Sequence, residues 1–239
     1  MLIERHKFLI CVFLVNCKYQ LLMDHHSKEK NLELDRLVFF SDAVVAIAIT
    51  LLALNLKISK AIDAHLTFAD FAASWQNFLA FFLSFLIIAV FWKIHHEFFV
   101  FIKEISEALL LYNIGWLLFI VLLPFTTTLI SAHFSDTAAM FAYSFNIFMI
   151  TLFQNLIWDY VAIRPQYTKD NLTPEINKDK RIACNIAMVN GLIAMVFSFI
   201  SPAIAFFILF TRLLMFKISS KFFYKRKTQI IRQRQSKPH

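Results

Sequence analysis

Three groups of functional side chains stand in apolar surroundings in this chain. Arg36, Ser41 and Asp42 open the run LDRLVFFSDAVVAIAITLLALNL. Trp92, His95 and His96 lie together in FWKIHHEFF, and Asn113 interrupts LLLYNIGWLLFIVLLPFTTTLIS. A carboxylate held inside a membrane costs at least about 2.5–3.5 kcal/mol at mid-helix unless it is paired. Asp42 therefore calls for a partner, a water-filled neighbour or a helix start. Capping of free amides at a helix N-terminus and bracing between helices both rank ahead of catalysis or ion binding. His95 and His96 are adjacent, so on a helix they point about 100° apart and are poorly placed to chelate one metal. They suit hydrogen bonding to the Ser41/Asp42 region first, and a pH-sensitive gate second. Trp92 fits an interface anchor or a bracing donor. Asn113 fits polar glue between helices, with a contribution of roughly 0.6–2 kcal/mol. Asn146, Asn155, Asn185 and Asn190 suit the same use, and Arg212 either snorkels from the last span or pairs inside it.

No enzyme constellation is present: no nucleophile elbow, no HExxH and no facing intramembrane carboxylates. Only two glycines exist, which excludes a glycine-rich nucleotide loop. The three cysteines, Cys11, Cys17 and Cys184, form no CxxC pair, so neither a metal site nor a disulfide framework is indicated. The expectation is a non-enzyme with no cofactor.

The elements that position these residues must be membrane helices. The chain has 239 residues, 59% hydrophobic and 17% charged, against about 45–50% and about 25% in soluble domains. The apolar residues come in long runs rather than alternating, which disfavours a β-barrel. Six spans are predicted: from about Val38 to Leu56, Phe71 to Trp92, Leu109 to Ile130, Ala138 to Ile157, Ile182 to Ile200, and Pro202 to near Phe216. The net charge of +8 points to the positive side of a membrane protein rather than to nucleic acid. The segments Ser131–Thr137 and Ser201–Pro202 hold no Lys or Arg, whereas the loop with Arg164, Lys169, Lys178, Lys180 and Arg181 and the tail from Lys217 to Lys237 are basic. That asymmetry places the N and C termini in the cytoplasm and leaves Lys57 and Lys60 outside. The expected organisation is an N-terminal segment 1–35, a six-span domain 36–224 and a basic tail 225–239. The first segment is peripheral, or an extension before a start at Met23. The loop RPQYTKDNLTPEINKDKR reads as a solvated connector.

Helical geometry sorts the first span. At about 100° per residue, Arg36, Phe40, Ile47, Leu51 and Leu54 share one broad stripe with Thr50 at its margin, and Ser41 and Asp42 point well away from Ile47. Lipid or a neighbouring helix would cover most such stripes.

Arg36-x-x-x-Phe40-Ser41-Asp42 with the following AVVAIAITLLAL resembles the RxxxFSD signature helix of the prokaryotic transmembrane protein 175 family. FWKIHHEFF is similar to that family's aromatic-Trp-x-x-His-His segment after span 2, and Leu109 to Ser131 resembles its third span. The resemblance covers Arg36 to about Ser131; spans 4 to 6 agree in topology only. It implies an all-α integral membrane protein with six transmembrane helices per subunit. It also implies a homotetramer in the cell membrane whose helix 1 lines a central pore. The implied function is a potassium-selective cation channel whose permeant ion is potassium, with lipid and further copies of itself as partners. Carried onto this chain, the constriction falls on Ile47, Leu51 and Leu54, with Thr50 as the polar lining residue. Arg36, Phe40, Ser41, Asp42, Trp92, His95, His96 and Asn113 are the signature and bracing residues. Ala43 stands where the family often has glycine.

Two other classes compete. A proton-coupled or other secondary transporter should show broken helices, repeat symmetry and mid-membrane ionisable sites, and the sequence shows little of these. A non-conducting membrane assembly protein could keep the same fold.

Overall fold

The computed structural model describes residues 32–54, 56–58 and 65–212. The expectations for residues 1–31, Lys60 and the tail from residue 213 on, including Cys11, Cys17 and the basic C-terminus, lie outside the described residues. The described chain is all-helical: α1 (Leu32–Leu54), α2 (Phe68–Ala73), α3 (Trp75–Phe99), α4 (Glu107–Ala132), α5 (Thr137–Ala162), α6 (Pro174–Phe197) and α7 (Pro202–Arg212). Among the described residues, five helices are long and apolar enough to cross a membrane, and α7 is a shorter apolar helix. The chain is a multi-pass membrane protein.

Local chemistry sets the helix starts. Thr67 and Asp70 form a capping box at α2, with the Thr67 amide donating to Asp70 Oδ2 at 2.7 Å. Ser106 Oγ accepts from the Leu109 amide at 3.2 Å to open α4. Thr173 Oγ1 accepts from the Ile176 amide at 3.3 Å to open α6, and Pro174 takes the first helical position.

Three boundaries differ most from those expected. Helix α1 already includes Leu32, so Ser41 and Asp42 lie within it and do not cap its start. Helix α3 runs on to Phe99, which puts His95 and His96 inside the helix rather than after it. Helix α6 begins at Pro174, so the expected polar connector is helical from Pro174 on.

Helices α3, α4, α5 and α6 pack in chain order. Of the long helices, α5 is the most buried. Gly191 marks the close approach of α6 to α5: a Cβ there would lie 3.2 Å from the Phe148 Cα, so the missing side chain lets the backbones meet. Hydroxyls cross-link the interior. Thr127 donates to Ser84 Oγ at 2.8 Å, and Ser84 and Tyr143 share a 2.9 Å hydrogen bond. Asn146 Nδ2 donates to the Phe119 carbonyl at 3.1 Å.

One end of the bundle is tied more firmly. The Lys103 amide donates to Tyr167 O at 2.8 Å and the Lys169 amide to Phe101 O at 2.9 Å, around an isolated antiparallel bridge between Ile102 and Thr168. Lys180 Nζ lies 3.1 Å from Glu97 Oε2 and over the rings of Phe98, Phe101 and Trp158. Arg181 Nε and Asp159 Oδ1 are 2.9 Å apart, an ion pair without hydrogen-bond alignment.

Candidate functional site: the two faces of helix α1

Helix α1 divides its residues between two faces. Leu34, Leu37, Ser41, Val45, Ala48 and Leu52 recur at three- and four-residue spacing and are buried against the rest of the subunit. Arg36, Phe40, Ile47, Thr50, Leu51 and Leu54 follow the same periodicity on the other side and are exposed. Ile47 is 60% exposed and Leu54 is 76% exposed, while Leu51 is 37% exposed at the edge of the stripe. Among the described residues, no helix of the subunit covers the stripe at Ile47 and Leu54. Thr50 Oγ1 donates to the Ile47 carbonyl at 2.8 Å. That bond satisfies the hydroxyl locally and keeps the neighbouring surface apolar.

The opposite side of α1 is held by polar bonds of long sequence separation. Asn113 Nδ2 on α4 donates to Ser41 Oγ at 2.9 Å, and Ser41 Oγ donates to the Leu37 carbonyl at 2.8 Å. Asn113 Oδ1 lies 2.7 Å from His95 Nε2 on α3. A carbonyl oxygen only accepts, so His95 carries its proton on Nε2 in this arrangement. The result is one directed chain from α3 through α4 to α1, and its three linking side chains are all buried. Beside it, Trp92 Nε1 donates to Asp42 Oδ1 at 2.8 Å. Trp92 also keeps 41% of its surface exposed.

The two histidines diverge. His95 is buried and stacks on Trp116, with ring centroids 4.2 Å apart. His96 is exposed and stacks on Trp92 at 5.9 Å. The structure thus gathers Ser41, Asp42, Trp92, His95 and Asn113 at the α1–α3–α4 junction. It leaves Arg36 and Phe40 exposed on the stripe side. Trp116 is a partner the sequence reading missed. Its signal was present, because Trp116 follows Asn113 by three residues and shares its helix face. Gln154 was missed too: its Nε2 donates to the Phe91 carbonyl at 3.2 Å and ties α5 to α3.

The Trp92–Asp42 bond has a measurable expectation. Trp92→Phe keeps the ring and deletes the donor. A hydrogen bond to a charged group contributes about 1.5–3 kcal/mol, and exposure puts this one at the lower end. Trp92→Phe and Asp42→Asn are each expected to lower the thermal midpoint. The double variant is expected to lower it by less than the sum. Strict additivity in that cycle would mean the bond contributes nothing.

Residues 36–124 match the family described as endosomal/lysosomal potassium channel TMEM175. A relative from Streptomyces collinus, named a potassium channel, is 31% identical over 131 residues, covering 53% of this chain and 64% of the relative. One from Chamaesiphon minutus, also named a potassium channel, is 33% identical over 135 residues, covering 54% of this chain and 66% of the relative. The matched stretches span just under two thirds of these relatives' length. The crystal structure of a lysosomal potassium-selective channel TMEM175 homolog from Chamaesiphon minutus superposes with a TM-score of 0.69 at 26% identity. It covers 79% of this chain and 98% of that one.

Proposed function

We propose that this chain, whose residues 36–124 are those of the TMEM175 family, is a potassium-selective cation channel. Its pore is lined by α1 from four copies. The observation that carries this reading is the division of α1 itself. One side is fixed to α4 by the buried Asn113–Ser41 bond and to α3 by the more exposed Trp92–Asp42 bond, and the other leaves Ile47, Thr50 and Leu54 exposed, with Leu51 at the edge. Four such stripes facing one axis would bury that exposed surface and enclose a narrow path. Each subunit crosses the membrane six times, with α7 as the start of the sixth span and both termini in the cytoplasm. The ion assignment rests on the relatives, which are named potassium channels.

The mechanism follows from the side chains. Ile47 and Leu54 offer no oxygen to replace an ion's hydration shell, and Leu51 adds none. Rings of these residues close the path by dewetting, and conduction requires the rings to widen enough to admit hydrated or partly hydrated ions. A Thr50 hydroxyl released from the Ile47 carbonyl would offer such an ion an oxygen ligand one residue short of Leu51. Ser41 and Asp42 are turned to the subunit interior, so they set the angle of α1 and do not line the path.

Purified protein in liposomes under opposed potassium and sodium gradients tests the proposal. Potassium flux that outpaces sodium and does not saturate at low concentration is the expected result. Slow, saturable, proton-coupled flux would replace the channel by a carrier. A verified tetramer that passes neither ion under any membrane voltage would leave a non-conducting assembly.

A further inference from the structure

We infer that Arg212 holds a phosphate-type anion at the junction of α3, α6 and α7, supplied as free phosphate or as the headgroup of an anionic phospholipid. Arg212 follows Ala205, Phe206 and Leu209 along the buried side of α7 and is itself only 4% exposed. Its guanidinium carbon lies 4.0 Å from the centre of the Phe91 ring. That stacking leaves the edge of the fork free. Both Nη1 and Nη2 are buried, and neither finds a hydrogen-bond acceptor among the described residues. An arginine near a membrane's edge usually snorkels to water, but this one is enclosed.

Among the described residues, no ion pair joins Arg212 to a carboxylate: Lys180 takes Glu97, and Arg181 takes Asp159. The neighbouring amide does not bond to it: Asn190 Nδ2 is a donor engaged with Ile208 O at 3.1 Å and Thr211 Oγ1 at 3.2 Å, and Asn190 Oδ1, an acceptor, is itself buried without a partner among the described residues. Two coplanar N–H edges carrying a charge unpaired among the described residues match the bidentate demand of a phosphate oxygen pair. Water alone would satisfy the hydrogen bonds and leave the charge unmatched. Phe91 directly precedes Trp92, the residue that holds Asp42 on α1. Consecutive helical residues point about 100° apart, so an anion at this junction sits on a different face of α3 from the one that bonds to α1.

The test uses lipid-stripped full-length protein in a neutral detergent, titrated at constant ionic strength with inorganic phosphate or with phosphatidylglycerol. Thermal midpoint and native mass are both read. The expected result is a saturable rise in midpoint with one bound phosphate or one bound phospholipid per subunit. Arg212→Gln should raise the apparent Kd at least about tenfold, and Arg212→Lys, which keeps the charge and loses the fork, should fall between. A response to phosphate alone identifies the free ion, and a response to phosphatidylglycerol alone identifies the headgroup. Absence of a saturable response in the wild type overturns the inference whether or not the variants fold, and so does an unchanged response in Arg212→Gln. Neither readout involves ion flux, so failure here leaves the channel proposal standing.

Discussion

Ile47→Asn makes the proposed channel leak sodium. Ile47 is the uncovered apolar side chain on α1 that lies five residues past Asp42. In a tetramer the substitution places four amides where four branched hydrocarbon groups met. The ring then holds water, and an ion no longer has to cross a dry constriction. Conductance is expected to rise, and the potassium-to-sodium permeability ratio to fall at least about tenfold. That fall corresponds to about 1.4 kcal/mol of lost discrimination. Reversal potentials under potassium on one side and sodium on the other give the ratio directly. Leu118→Asn, at an exposed apolar site on α4, serves as the control and should leave the ratio unchanged. Equal effects from the two substitutions would remove Ile47 from the pore.

Asn113→Leu acts from the opposite side of α1. It deletes the donor to Ser41 and the acceptor from His95 together; buried His95 Nε2 loses its partner, and Ser41 keeps only its bond to the Leu37 carbonyl. Such an orphan costs about 1–3 kcal/mol in a soluble interior. Measured interhelical hydrogen bonds in membranes average nearer 0.6 kcal/mol. A net loss of about 1–3 kcal/mol is therefore expected, read as a lower thermal midpoint, together with loss of potassium flux as α1 comes free of α4. His95→Leu on its own should cost less, because Asn113 keeps Ser41. If Asn113→Leu matches wild type in both midpoint and flux, the chain of bonds does not position α1.

The periodicity of α1 was legible because helical geometry alone separates Ile47 and Leu54 from Ser41 and Asp42. The partners were not legible. Trp92 meets Asp42 across 50 residues and Asn113 meets Ser41 across 72, and only packing decides which polar groups in neighbouring helices face each other. Of the two readings of Asp42, bracing holds, through Trp92, and capping does not, because Leu32, Glu33 and Leu34 are good helix formers and are already helical. The start of α6 was hidden by its own charges. Glu175, Lys178, Asp179, Lys180 and Arg181 looked like a solvated loop, although Thr173-Pro174 spells an N-cap followed by an N1 proline. Lys180 and Arg181 turn out to be engaged with Glu97 and Asp159.

The most direct measurement of that central claim is thiophilic-metal block of a single cysteine at Ile47. In a background lacking Cys11, Cys17 and Cys184, Ile47→Cys and Leu118→Cys would each be reconstituted and potassium flux followed as cadmium is added. Four thiolates around one axis form a soft, high-affinity site, so cadmium should block Ile47→Cys and leave Leu118→Cys conducting. Flux through Ile47→Cys that is indifferent to cadmium, with the cysteine shown to be present and reduced, would contradict a pore lined by α1.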